Sequence, residues 1–145
     1  MPRVEFYVLD AVSADARLRL ACRLAEEAWA ESHQVFVLAG SADEARRMDE
    51  LLWTYRDRSF VPHDLVENSG PNPPAVLIGT ASSQATARDV LVNLAATLPE
   101  GCEQFARIVE PLDADAERRQ KGRERFRGYR ERGMTPESHN VGLDR

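Results

Sequence analysis

The chain reads as a three-layer α/β domain: a mostly parallel sheet of about five strands flanked by helices. Two patterns predict this. Short apolar runs, Val35-Phe36-Val37-Leu38 above all, have the unbroken hydrophobicity of strands covered on both faces. They alternate with segments whose apolar residues recur every three or four positions, as in helices packed through one side.

Residues 3–10 alternate and are rich in Val, Phe and Tyr, which predicts the first strand. Over 15–32, Leu18, Ala21, Cys22, Ala25, Ala28 and Trp29 form one helical face. The apolar run at 34–39 supplies the second strand. Ser41 and Glu44 then fit a capping box, each side chain satisfying a backbone donor of the other. Ala45, Met48, Leu52 and Tyr55 follow at helical spacing. The stretch Asn68-Ser69-Gly70-Pro71-Asn72-Pro73-Pro74 predicts a turn. Further short strands are expected at 75–78, 90–94 and 107–110. The last helix is expected over 113–132, with acids at its start and arginines toward its end, as the helix dipole favours. Gly133 is placed to stop it. These elements make one domain, 1–133, followed by a polar tail, 134–145, that is expected to fray.

With 145 residues, 43% hydrophobic and 30% charged, the composition is that of a globular domain able to bury a core. No apolar run reaches the roughly 18–20 residues that cross a bilayer. The first residues enter a strand pattern with no basic or small-residue signal segment. Cys22 and Cys102 stand far apart without a CxxC, so buried, reduced thiols and a cytoplasmic location are expected. The net charge of −5 conceals an asymmetry. Residues 117–132 hold eight basic side chains against three acidic ones, +5, leaving −10 for the remainder. An acidic body argues against strong direct binding of nucleic acid, and a local basic patch on it suits a small acidic partner.

Phosphate-binding signatures are missing. Leu9-Asp10-Ala11-Val12-Ser13, after the first strand, contains no glycine, and no G-x-x-x-x-G-K-[ST] occurs. His33, His63 and His139 lie in unrelated contexts, and neither G-x-S-x-G nor H-E-x-x-H is present. Asp10 reads as a turn or cap residue. No catalytic residue, cofactor or metal ligand is assigned.

Two constellations look functional. At 100° per residue, Arg119, Arg123, Phe126, Arg127 and Arg130 fall within an arc of about 100° on the last helix. Gly122 and Tyr129 lie beside Phe126. A ring flanked by arginines suits a peptide that ends in an apolar side chain and a carboxylate, gripped bidentately by a guanidinium. A solvated basic helix packed through Phe126 and Tyr129 reads equally well. The second constellation is Leu51-Leu52-Trp53-Thr54-Tyr55-Arg56-Asp57-Arg58-Ser59-Phe60-Val61-Pro62-His63, where a helix runs out into an aromatic loop. Either Trp53, Tyr55 and Phe60 roof the domain's own core, or they anchor a protein–protein interface stiffened by Pro62, with His63 at its edge.

Taken together, Phe6-Tyr7-Val8-Leu9-Asp10, Met48-Asp49-Glu50-Leu51-Leu52-Trp53 with Ser59-Phe60-Val61-Pro62-His63, and Arg123-Glu124-Arg125-Phe126-Arg127-Gly128-Tyr129-Arg130 resemble the chi-subunit family of bacterial DNA polymerase III holoenzyme. Their order and spacing match over nearly the whole length. The resemblance implies a Rossmann-like fold without a nucleotide site. It also implies a non-catalytic adaptor of the clamp-loader complex, cytoplasmic and associated with the replisome at the nucleoid. In that family the psi subunit tethers chi to the clamp loader, and chi binds the acidic C-terminal tail of single-stranded-DNA-binding protein, which ends in Pro-Phe with a free carboxylate. By position, Arg123 would clamp the carboxylate, Phe126 and Arg127 would flank it, Arg119 would lie on the rim, and Leu112 would line the pocket for the terminal ring; Arg130 is counted with them in tail binding. The psi contact maps onto Trp53, Tyr55, Phe60, Val61, Pro62 and His63. The family often has Tyr at the position of Phe126 and Lys at that of Arg127. The first change removes at most one hydrogen bond, about 0.5–1.5 kcal/mol, and the second keeps the charge. Three other readings compete: docking of a repair helicase on the same aromatic loop, a small α/β enzyme or nucleotide-binding protein, and direct single-strand binding by the basic helix, which the −10 elsewhere makes weak.

Overall fold

The computed structural model describes residues 1–58 and 60–142; Ser59 of the aromatic stretch and residues 143–145 of the expected tail lie outside the described residues. In chain order the elements are β1 (Arg3–Leu9), α1 (Ala14–Ala30), β2 (Val35–Leu38), α2 (Ala42–Thr54), β3 (His63–Leu65), β4 (Val76–Gly79), β5 (Val90–Asn93), β6 (Arg107–Leu112), α3 (Ala116–Glu131) and β7 (Glu137–Val141). The strands form one sheet in the order β3-β4-β2-β5-β6-β1-β7, and every neighbouring pair is parallel.

Among the described residues seven strands replace the expected five, and both additions are edges. β3 is only three residues long, too short to show a period. β7 lies in the stretch expected to fray and is exposed along its length except at Val141. Its backbone nevertheless pairs with β1 from Glu5↔Glu137 to Leu9↔Val141. An edge strand needs no apolar run, since backbone ladder bonds hold it on one side and water on the other.

Strand alternation sorts the core into two halves. Val35, Val37, Val76, Ile78, Val90, Val92 and Val109 face α1 and α2, packing on Ala21, Cys22, Ala25, Met48 and Leu52. Val4, Phe6, Phe36, Leu38, Leu91, Ile108 and Leu112 face α3, with Tyr129. Three layers result. Cys22 and Cys102 are both buried free thiols, and burial pushes the Cys22 thiol up to about 12, which makes it inert.

The helix ends follow their local chemistry. Ser41 Oγ accepts from Glu44 N at 3.1 Å, as a capping box requires, but Glu44 Oε1 reaches one residue further back, to Gly40 N at 2.7 Å. The last helix starts three residues later than expected. Asp115 is its cap, accepting from Arg118 N at 2.9 Å, and Asp113 stays outside the helix at the carboxyl end of β6, where it accepts from Ser13 N and Arg118. At the other end Gly133, with φ +89°, permits a double closure: Gly133 N donates to Arg130 O at 3.0 Å and Met134 N to Tyr129 O at 3.1 Å.

Two buried charged groups set the layer geometry. At the carboxyl ends of β5 and β6, where open α/β sheets commonly hold ligands, the Arg17 guanidinium fills the space. It donates to Pro111 O and Leu94 O at 3.0 Å each and approaches Glu44 Oε2 at 3.5 Å. Between the sheet and α3, Glu110 is fully buried. Arg125 Nε meets its two oxygens at 3.0 and 3.1 Å, Tyr129 Oη donates at 2.6 Å and Asn93 Nδ2 at 2.9 Å. Burial, with the Glu110 carboxylate beside it, drives the Tyr129 phenol far above its usual range.

Removing one partner of such a buried pair strands the other charge. Arg125→Met should therefore cost about 3–5 kcal/mol in urea unfolding, whereas pairing it with Glu110→Leu should recover most of that loss. A single-variant loss under about 1 kcal/mol would show that the pair does not hold the helix. A second expectation concerns acid. The Arg118 guanidinium, at 2.7 and 2.8 Å, together with Ser13 N, holds the Asp113 carboxyl down at about 2. A folded carboxyl depressed below its unfolded value stabilises fully above about pH 4, and that contribution, about 2 kcal/mol, is lost as pH falls toward 2. In Asp113→Asn the fall in stability between those pH values should be correspondingly shallower, as read by denaturant titration at each pH.

Candidate functional site

The apolar face of β1 and the start of the last helix enclose an open cleft of about 290 Å³ lined by Phe6, Val8, Leu112, Arg119, Gly122, Arg123, Phe126 and Ser138. Its floor is aromatic. The Phe6 and Phe126 rings lie 5.3 Å apart and tilted by 46°, and Phe6 meets Tyr129 edge-on at 6.1 Å. Gly122 lets the helix come close to the sheet here, because a Cβ at that position would stand 2.7 Å from Leu112 Cδ1. Leu112, the last residue of β6, is thereby trapped beneath the helix as part of the cleft wall.

Two guanidinia reach this apolar floor, and they are held differently. Arg119 is fixed to the main chain, donating from Nε to Asp113 O at 3.2 Å and from Nη2 to Leu9 O at 2.9 Å. Arg123 is exposed and donates only to Gln120 Oε1 at 3.2 Å among the described residues. An apolar slot beside one pre-set and one adjustable guanidinium can seat a ring and a carboxylate at the same time.

Of the helix residues expected to act together, the cleft gathers Arg119, Arg123 and Phe126, with Leu112 from β6. Arg127 and Arg130 are exposed and lie outside the lining. Arg127 sits at the outer margin of the arc, and Arg130 lies one turn beyond Phe126, about 6 Å further along the axis. Other members of the basic run serve the fold: Arg125 is buried on Glu110, Arg118 pairs with Asp113, and Arg132 pairs with Glu103 at 3.1 Å. Phe6 and Val8 were visible in the alternation of the first strand, which puts both on one face. Ser138 gave no signal, since it reaches the cleft only through the pairing of β7 with β1.

The aromatic stretch divides. Trp53 and Phe60 are 61% and 77% exposed, two of the four large hydrophobic side chains left open to solvent among the described residues. Pro62 is exposed as well. Val61 and His63 are buried. The His63 ring nitrogens lie 2.7 Å from Val61 O and 3.0 Å from Asp49 O, and the ring supports Trp53 at 4.6 Å. Tyr55 packs partly on the core and bonds through its hydroxyl to Glu26, which also pairs with Arg56 at 2.8 Å. The sequence stretch therefore offers two outward anchors on an inward-turned base.

Among the described residues one group has the donor set for a cation: Glu5, Glu137 and His139 bring one ligand atom each within 4.8 Å of one another. Its charge is already balanced. Arg107 Nε at 2.7 Å and Arg3 Nη2 at 2.9 Å occupy the Glu5 carboxylate and, against the upward push of burial, hold it below its ordinary range. A divalent ion would have to displace these guanidinia.

Comparison with known proteins matches the family described as DNA polymerase III chi subunit, HolC, over residues 1–137. The chain is 38% identical over 143 residues to the DNA polymerase III subunit chi of Pseudomonas aeruginosa, covering 97% of this chain and 98% of that one. It is 29% identical to the protein of that name from Escherichia coli over 140 residues, 92% and 95% of the two chains. The Haemophilus influenzae protein is 28% identical over 139 residues, 95% and 96%. With the match running through the strands and the helix that build the cleft, the chain belongs to the DNA polymerase III chi-subunit family, a replication accessory subunit rather than a catalytic chain.

Proposed function

We propose that this subunit is an adaptor that binds the acidic C-terminal tail of single-stranded-DNA-binding protein in the Phe6–Phe126 cleft and docks the psi subunit of the clamp loader on Trp53 and Phe60. The observation that carries the first half is the placement of Arg119 and Arg123 directly beside an apolar slot floored by two rings. A terminal phenylalanine fits the slot, its free carboxylate meets the guanidinia, and Arg127 and Arg130, further along the exposed helix, attract the acidic residues that precede it. A single contact of this size binds on the order of micromolar, about −8 kcal/mol. Such weakness suits a contact that is made and released as replication proceeds.

The second half rests on exposure. Trp53 and Phe60 are aromatic anchors left uncovered over a rigid base of Val61 and His63. They belong to the β3 side of the sheet, five strand positions from β1 and so roughly 25 Å from the cleft. Both partners can then be held at once, which is what a tether between clamp loader and coated single strand requires. Among the described residues no helix is long and apolar enough to cross a membrane.

In a fluorescence titration, an acidic peptide ending in Pro-Phe should bind with micromolar affinity and its C-terminally amidated form should not. Arg123→Ala should weaken the free-acid peptide about 30-fold, the loss of a charge-assisted pair worth roughly 2 kcal/mol. Equal binding of acid and amide, or an unaltered affinity in Arg123→Ala, would refute the cleft assignment. Separately, Trp53→Ala should abolish co-purification with psi while leaving peptide affinity within about twofold; retention of psi would move that interface elsewhere, and capture of a helicase in its place would favour the repair reading.

A further inference from the structure

The hydrogen-bonding chemistry of the cleft is one-sided. Phe6, Val8, Leu112 and Phe126 offer no polar atoms, and the Arg119 and Arg123 guanidinia only donate. The carbonyls beside Arg119, those of Leu9 and Asp113, each already accept one of its N–H groups. A peptide terminus brings acceptors in its carboxylate, which the arginines suit. It also brings one donor, the N–H of its last residue. Leaving that donor unpaired against apolar walls carries a desolvation penalty. One lining side chain can accept it: the hydroxyl of Ser138.

The fold places that hydroxyl deliberately close to the floor. Ser138 stands in register with Phe6 across the β1–β7 ladder, so the two side chains share the cleft face of the sheet. It comes from a strand that buries almost nothing and adds little to the core. Resting on the tail-binding reading above, we infer that Ser138 is a specificity-determining residue that accepts the hydrogen bond of the terminal residue's N–H and so fixes the direction in which the peptide enters. The polar seventh strand is then a wall of the binding site, and the cleft recognises three things together: a ring, a carboxylate and the amide between the last two residues.

The test pairs a protein variant with a change of one atom in the ligand. Two acidic peptides are compared, one ending in Pro-Phe and one ending in Pro-phenyllactate, in which an ester oxygen replaces the final N–H. On the unaltered protein the ester should bind about three- to tenfold more weakly than the amide. In Ser138→Ala the amide peptide should fall to the affinity of the ester and the two should become equal. In Ser138→Thr, which keeps a hydroxyl, the difference should persist. If the two peptides bind the unaltered protein equally, or if Ser138→Ala leaves the ester penalty intact, the role of Ser138 is overturned while the tail-binding reading stands. If neither free-acid peptide binds, both readings fall. Because Ser138 is exposed, the variants should unfold with the parent, and thermal melts confirm that a lost affinity is not a lost fold.

Discussion

Burying a carboxylate without compensation costs several kcal/mol, and Glu110 is buried completely between the sheet and the last helix. Its four hydrogen bonds come from a strand neighbour, Asn93, and from Arg125 and Tyr129, one helical turn apart. Only one rotation and one axial position of the helix satisfy all of them. With that setting fixed, Gly122 is brought against Leu112, Phe126 meets Phe6, and Arg119 reaches the Leu9 carbonyl at the end of β1 and the Asp113 carbonyl just after β6. The cleft is what remains on the side of the helix that the Glu110 network does not use.

The same network explains how a strongly basic helix sits on an acidic body. Its arginines divide by task. Arg118, Arg125 and Arg132 are matched to carboxylates of the fold, and Arg119 to carbonyls, so their charge is spent internally. Arg123, Arg127 and Arg130 project from the exposed side. A small acidic ligand therefore meets a localised positive field, while a long polyanion would meet the remaining negative charge. At the opposite end of the sheet the aromatic stretch makes a similar division, with Val61 and His63 inward and Trp53 and Phe60 outward.

The sequence was most legible where local patterning and burial coincide. Of the five central strands, β2, β4 and β5 could be read because both their faces are covered, which leaves apolar runs, and β1 could be read from its alternation. The edges could not: His63-Asp64-Leu65 is too brief, and the residues of β7 are polar because water lies on their far side. On the last helix an angular argument placed Arg119, Arg123 and Phe126 together, yet it carried no axial limit and so admitted Arg130. It also could not separate Arg125 from its exposed neighbours, because the carboxylate that buries it lies 15 positions away in sequence. Ser138 was out of reach for a similar reason, since it meets Phe6 only through a parallel ladder joining distant ends of the chain.

That ladder has a consequence for how the molecule comes into being. β1 precedes the other described strands in chain order, whereas its two neighbours, β6 and β7, follow all of them. Until they emerge, Phe6 and Val8 have no partner strand and no helix above them, and closing the pairing spans more than a hundred residues. A chain in which β6, α3 and β7 have not yet formed thus has no cleft between Phe6 and Phe126, and the cleft takes shape only once this long-range ladder closes.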